Sequence, residues 1–235
     1  MPRRCALVDA EMWMIGRDFD IVADGKYVIT CQDEEFDDVQ FGMSGRFQAK
    51  NGAAAIAAVR ALNDVEISQE AIFAGLKKAK LPGRVELIQE NPLVVLDGAH
   101  NADKMQATIS ILNELRTDRR IITVLAMKAG KAAPDILPTV TALSDHMIFT
   151  TFLPKGLWEA YKPGELAAIA AQTAPDLPIE TVENPHDALK RALTLANDDD
   201  ILWITGSLYL VGDLRSHWFP IENLLNSLEG GLNGE

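Results

Sequence analysis

The sequence predicts an α/β chain dominated by a mostly parallel sheet with helices on both faces. Three observations predict it. From residue 82 onward, short apolar runs alternate with amphipathic stretches of about three turns, the pattern of β-α units. The run Val94-Val95-Leu96 has no polar alternation, as expected of a strand covered on both faces. Pro163 and Pro185 each stand where a helix would begin, a position at which proline loses nothing because the first-turn amide has no partner anyway. Together these give a Rossmann-like topology. No Gly-x-Gly-x-x-Gly follows any strand, so a nicotinamide site is not expected.

Before residue 82 the organisation differs. Alternating segments such as Tyr27-Val28-Ile29-Thr30-Cys31 are separated by Ala23-Asp24-Gly25-Lys26, a hairpin turn signal, and by the acidic stretch 33–38. Residues 51–62 and 68–79 then read as two helices joined at Asn63-Asp64, with Ser68 as N-cap of the second. Leu81-Pro82-Gly83 punctuates the chain and marks a boundary, giving segments 1–81 and 82–235. In the second segment the expected strands are 94–96, 121–126, 147–152, 179–182 and 201–205. The expected helices are 102–115, 132–143, 163–173, 185–196 and 207–216.

Composition narrows the function classes. With 235 residues and 48% apolar content the chain can fill a sizeable core. A net charge of −12, from 34 acidic and 22 basic residues, argues against a nucleic-acid partner, which needs a basic face. Two cysteines, Cys5 and Cys31, without framework spacing fit a reduced, cytoplasmic protein. No apolar run approaches the ~18 residues of a membrane-spanning helix, and the basic Met1-Pro2-Arg3-Arg4 is followed by too short an apolar stretch for a signal peptide. His146, His186 and His217 are isolated, with no metal-ligand spacing, and no metal site is expected from them.

The chemistry-bearing residues cluster in two motifs. Leu81-Pro82-Gly83-Arg84-Val85-Glu86 is a turn carrying an arginine, whose planar donor fork suits phosphate. Val94 to Leu96 then leads into Asp97-Gly98-Ala99-His100-Asn101, polar groups at the carboxyl end of a buried strand, where open α/β sheets bind ligands. By residue type alone, an ordinary strand-turn-helix with Asp97 or Asn101 as cap explains the second motif equally well, and a surface ion pair with Glu86 would explain Arg84. Thr205-Gly206-Ser207, after the last strand, opens a helix whose amides would accept an anion or simply form a capped turn.

Two further segments decide the resemblance. Gly45-Arg46-Phe47-Gln48-Ala49-Lys50-Asn51 runs into an alanine-rich stretch, and Ile204-Thr205-Gly206-Ser207-Leu208-Tyr209 lies near the C-terminus. With Pro82-Gly83-Arg84 and Asp97-Gly98-Ala99-His100-Asn101, in this order, the chain resembles the folylpolyglutamate synthase and dihydrofolate synthase family of the Mur ligase superfamily, over roughly residues 19–215. The resemblance implies that 1–81 is the C-terminal part of a central ATPase domain and 82–235 a C-terminal domain. It implies ATP-driven amide formation: a carboxylate of folate or dihydropteroate takes the γ-phosphoryl group, and the amine of L-glutamate attacks the acyl phosphate. A monomer is expected. Asn51 would then meet adenine, Asp97 the ribose, and Arg84 and His100 phosphate, the last two acting in catalysis.

The family's Gly-x-x-Gly-Lys-[Ser/Thr] phosphate loop does not occur in these 235 residues. Met127-Lys128-Ala129-Gly130-Lys131 lacks the spaced glycines and the hydroxyl residue, and it lacks the acids that flank lysine in the family's Asp-Lys-Asp element. It reads as a strand-to-helix loop with no role carried over. The phosphate-loop lysine and the Mg2+ ligands would fall before Met1, so the expectation is the C-terminal half of such a ligase, inactive alone. The alternative is a non-catalytic nucleotide-binding or interaction module that keeps the fold without the reaction.

Overall fold

A computed structural model describes residues 2–24, 26–43, 45–62, 65–130, 132–153, 156 and 158–220. The chain divides into two compact units, Met1–Lys80 and Leu81–Glu235.

The first unit opens with a short helix, α1 (Pro2–Leu7), which the sequence reading did not anticipate. An antiparallel meander follows: β1 (Phe19–Asp24), β2 (Lys26–Cys31) and β3 (Glu34–Phe36). The expected hairpin forms, with Asp24 opposite Lys26; Gly25, Asn63 and Asp64 lie outside the described residues. One face of the meander is covered by α2 (Arg46–Arg60) and α3 (Gln69–Lys78) around Ile29, Phe36, Ala53, Ile56 and Ile72. Ser68 caps α3 as expected, accepting from the Ala71 amide. Helix α2 begins five residues earlier than the sequence reading placed it. Gln48 is buried at 2% exposure, and an apolar-plus-alanine face from residue 47 onward gives the helix something to pack, so the Gly-Arg-x-Gln segment is already helical. Asn51 therefore sits inside α2 and is not its cap.

The second unit is a six-stranded sheet in the order β4-β5-β9-β6-β7-β8. Its strands are β4 (Glu86–Gln89), β5 (Leu93–Leu96), β6 (Ile121–Leu125), β7 (His146–Phe149), β8 (Ile179–Thr181) and β9 (Ile201–Thr205). All pairs are parallel except the β4–β5 hairpin at the edge. The helices are α4 (Ala102–Arg116), α5 (Ala133–Leu143), α6 (Pro163–Thr173), α7 (Pro185–Leu195) and α8 (Leu208–Arg215). Helix α5 packs against both α4 and α6, and α7 packs against α8. The α7–α8 layer shares a core with Val94, Leu96, Ile122, Val124, Leu202 and Ile204. Strand periodicity sends the neighbours Val95, Leu125 and Trp203, all fully buried, to the other face. That double burial explains the unbroken apolar runs. The sequence reading did not separate β4, whose half-buried Glu-Leu-Ile-Gln is too short and mixed to stand out.

The order carries the functional consequence. The chain passes from β5 to β6, continues outward to β8, and returns with β9 into the gap between β5 and β6. The connections after β5 and β9 therefore diverge at this point, and a topological switch of this kind opens a crevice at the carboxyl ends of the strands.

At the opposite end of the sheet, Asp200 is held by Arg120 at 2.6 Å and by the Asn197 amide at 2.8 Å. Burial alone would raise its pKa, but the Arg120 hydrogen bond and the Asn197 amide outweigh it, and the net shift is downward. A carboxyl lowered in the folded state adds stability above its unfolded pKa and loses it as pH falls through the folded value. We expect Asp200→Asn to lower thermal stability at pH 7 by about 1–3 kcal/mol, and the gap to wild type to close on acidification below about pH 4. Melting curves at several pH values test this; a gap that persists at low pH would assign the effect to packing.

Candidate functional site

Asp97 organises the carboxyl end of β5. It is 3% exposed. One oxygen accepts the Val85 amide at 3.2 Å; the other accepts the Ala99 amide at 3.0 Å and the Thr108 hydroxyl at 2.8 Å. Burial raises its pKa, opposed by these three donors and by the nearby Arg84 charge. The Gly98 amide donates to the Gly83 carbonyl at 2.8 Å, so the arginine-bearing turn and the Asp-Gly-Ala-His-Asn turn are stitched together by both backbone and side chain. Val85 pays locally for this closure: its φ is +48°, a region β-branched residues rarely enter, and such strain is typical of ligand-binding turns. A side chain at Gly98 would meet Leu208 at 2.2 Å, which brings α8 down onto the same turn.

Arg84 is half-buried, and its guanidinium makes no hydrogen bond or ion pair with a described residue. The Glu86 pairing that would have explained it away is taken by Arg215, bound through Nε and Nη2 at 2.8–3.1 Å, with the Gly83 amide as a further donor to Glu86. Asn101 is the N-cap of α4, accepting from the Lys104 amide at 3.0 Å, as the capping reading of this motif expects. His100, just before it, is anchored through one ring nitrogen and leaves the other for a ligand. Its Nδ1 lies 2.9 Å from the Gly98 carbonyl, which only accepts, so Nδ1 carries a proton. Nε2 is then an acceptor in the neutral ring and a donor in the imidazolium.

His100 opens onto a cleft of about 300 Å³ lined also by Lys128, Gly206, Ser207, Leu208 and Tyr209. These residues follow β5, β6 and β9, the three strands at the topological switch. Gly206 has φ +93°, and a side chain there would meet the Ala126 carbonyl at 2.5 Å; only glycine lets β9 turn this tightly into α8. Ser207 caps α8 by accepting the Tyr209 amide at 3.1 Å. Its hydroxyl hydrogen remains available. Lys128 lies in the segment that the sequence presents as a strand-to-helix loop without a role, since no acid flanks it and the loop matches no phosphate-binding pattern. Among the described residues, no cluster of His, Cys, Asp and Glu is placed to hold a metal. Asn51 belongs to the first unit, where it is exposed on α2 and donates to Gln48 at 2.9 Å.

A profile described as "Mur ligase, glutamate ligase domain" matches residues 83–208, more than half of the chain. The chain belongs to the Mur ligase family. Its fold and sequence match the C-terminal portion of folylpolyglutamate and dihydrofolate synthases. It is 28% identical over 220 residues to the dihydrofolate synthase/folylpolyglutamate synthase of Bacillus subtilis, covering 90% of this chain and 46% of that one. It is 31% identical over 192 residues to a probable bifunctional folylpolyglutamate synthase/dihydropteroate synthase of Haloferax volcanii, covering 79% and 21%. The folylpolyglutamate synthase of Mycobacterium tuberculosis, solved with ADP and AMPPCP, superposes with a TM-score of 0.79 at 25% identity, over 93% of this chain and 52% of that one. This Mur ligase chain thus spans about half the length, or less, of the relatives it matches. No helix among its described residues is long and apolar enough to cross a membrane.

Proposed function

We propose that this chain supplies the C-terminal part of an ATP-dependent folate:glutamate ligase, with residues 1–81 belonging to the ATPase domain and 82–235 forming the C-terminal domain. The observation that carries the reading is Arg84: a guanidinium with no hydrogen-bonded or ionic partner among the described residues, on a strained turn tied through Asp97 to the loop that presents His100. That combination suits an anionic ligand. Arg84 and His100 meet phosphoryl oxygens of ATP. Asp97 spends three of roughly four acceptor sites on the protein, which leaves capacity for one ribose hydroxyl. Asn51 takes the adenine.

The reaction needs positioning and charge neutralisation more than covalent chemistry from the protein. A folate or dihydropteroate carboxylate attacks the γ-phosphorus and ADP leaves; the amine of L-glutamate then attacks the acyl carbon, phosphate departs and a proton is lost from nitrogen. Mg2+ would neutralise the phosphates when bound, held by residues of a phosphate-loop-bearing first half. In this scheme Arg84 stabilises charge on the transferring group, and the Asp97-tied turns keep Arg84 and His100 in register. We place the enzyme in the cytoplasm, acting as a monomer.

The chain by itself lacks the several amides, lysine and hydroxyl that a phosphate loop supplies. We therefore expect Mg-ATP to bind it with a dissociation constant of about millimolar, and no phosphate release with folate and glutamate. Calorimetry and a coupled phosphate assay test both statements. Joining the chain to a phosphate-loop-bearing first half of a relative should restore glutamate-dependent phosphate release. If the joined enzyme binds nucleotide but never turns over, the chain is a non-catalytic nucleotide-binding module.

A further inference from the structure

Lys128 stands apart from the residues the resemblance assigns. It follows β6 and lines the cleft at the switch point, yet its surroundings are not those of a surface lysine. Its ammonium lies 3.0 Å above the centre of the Trp158 ring, and it has no acidic partner among the described residues. The placement is built by the backbone. The chain after β7 returns to pair with the loop after β6: the Ala129 amide donates to the Glu159 carbonyl at 2.9 Å, and the Tyr161 amide donates to the Met127 carbonyl at 2.8 Å. Lys128 bridges Ala160 between them. Trp158 is 47% exposed, so the ring is not there to fill a core.

An aromatic face holds an ammonium without neutralising it. The contact is weaker than a charge-assisted hydrogen bond to a desolvated oxyanion. It also removes in advance part of the rotamer freedom that a lysine would lose on binding. Around the same cleft stand the Ser207 hydroxyl hydrogen, the His100 ring and the first amides of α8, and no carboxylate lines it among the described residues. At about 300 Å³ the cleft has room for a group the size of an amino acid or a phosphate.

We propose that Lys128, held ready on Trp158, is the oxyanion-receiving and specificity-determining residue of this cleft. It exchanges the ring for a carboxylate of the incoming acidic amino acid or for a phosphoryl oxygen. The identity of the ligand rests on the ligase reading; the lysine's role as a poised cation does not.

The indole N–H resonance of Trp158, identified by its loss in Trp158→Phe, reports the exchange directly. The 235-residue chain is titrated separately with L-glutamate, L-glutamine and inorganic phosphate. We expect L-glutamate to move this resonance with a dissociation constant of about millimolar. L-glutamine, lacking the side-chain charge, should bind more weakly. Lys128→Met should weaken the glutamate response on the order of tenfold while the melting temperature is unchanged, and Lys128→Arg should keep part of it. A response to phosphate and not to glutamate supports the same role for Lys128 and identifies the oxyanion as the nucleotide's. If Lys128→Met titrates like wild type, or if no anion moves the resonance, the proposal is overturned. The ligase reading is judged by phosphate release in the joined enzyme, an outcome that can succeed or fail whichever way Trp158 behaves.

Discussion

Asp97→Ala will destabilise the second unit by about 2–5 kcal/mol. The substitution strands three donors at once. The Val85 and Ala99 amides lose their acceptor, and so does the Thr108 hydroxyl, which can fall back on the Lys104 carbonyl at 3.2 Å. Val85 then has no reason to remain at φ +48°, and the turn carrying Arg84 relaxes away from the turn carrying His100. Asp97→Asn is milder, because it keeps one acceptor and removes a buried charge. It also allows a test of sign. Burial raises the Asp97 pKa, so the folded state holds this proton to higher pH than the unfolded chain. The stability contribution of that proton is complete below the unfolded value, about 3.9, and is lost as pH rises through the folded value. The advantage of wild type over Asp97→Asn should therefore shrink as pH rises through that window. Denaturant melts of both proteins at matched pH measure it, and an advantage that grows with pH would show that the three hydrogen bonds outweigh burial.

The same residue shows how far sequence reading reaches. That Asp97 ends a buried strand is legible, because Val94 to Leu96 allow no wet face. That its carboxylate is spent on Val85, Ala99 and Thr108 is not legible, since those donors converge only when β5, the arginine turn and α4 are assembled. The strands and helices of the second unit were read within a few residues because each carries its own signal: proline at the start of α6 and α7, Asn101 or Ser207 as cap, and uninterrupted apolar runs in β5, β6 and β9. The position of β9 between β5 and β6 carries no local signal, and neither does β4, so the switch point had to come from the structure. Lys128 was passed over for a related reason. Its partner ring lies thirty residues on, in a segment that looks like loop and becomes a strand-like return only by pairing with residues 127–129. In the first unit, Gly45 hid the start of α2: a glycine with φ +105° reads as a break, and here it is the N-cap.

Arg84→Ala in the joined enzyme should slow turnover on the order of 10- to 1,000-fold and leave folding intact. The two halves of this expectation come from one observation. Because the guanidinium has no partner among the described residues, its removal strands nothing, and the change in stability should stay within about 0.5 kcal/mol. With no hydrogen bond or ion pair to a described residue, and only the longer-range attraction of buried Asp97, its donor fork is available to the phosphoryl group, whose charge distribution shifts most in the transition state. The loss should therefore fall mainly on kcat and less on KM for ATP. Lysine restores a charge without the planar fork, so Arg84→Lys should recover only a fraction of the rate. Arg215→Ala is the informative contrast. It removes the partner of Glu86 and should lower stability through the β4 edge while sparing the chemical step more than Arg84→Ala does. Steady-state kinetics and melting curves on the three variants separate these outcomes. A normal kcat for Arg84→Ala in a folded enzyme would remove Arg84 from the reaction, and a large drop in melting temperature would make it a structural residue of the turn.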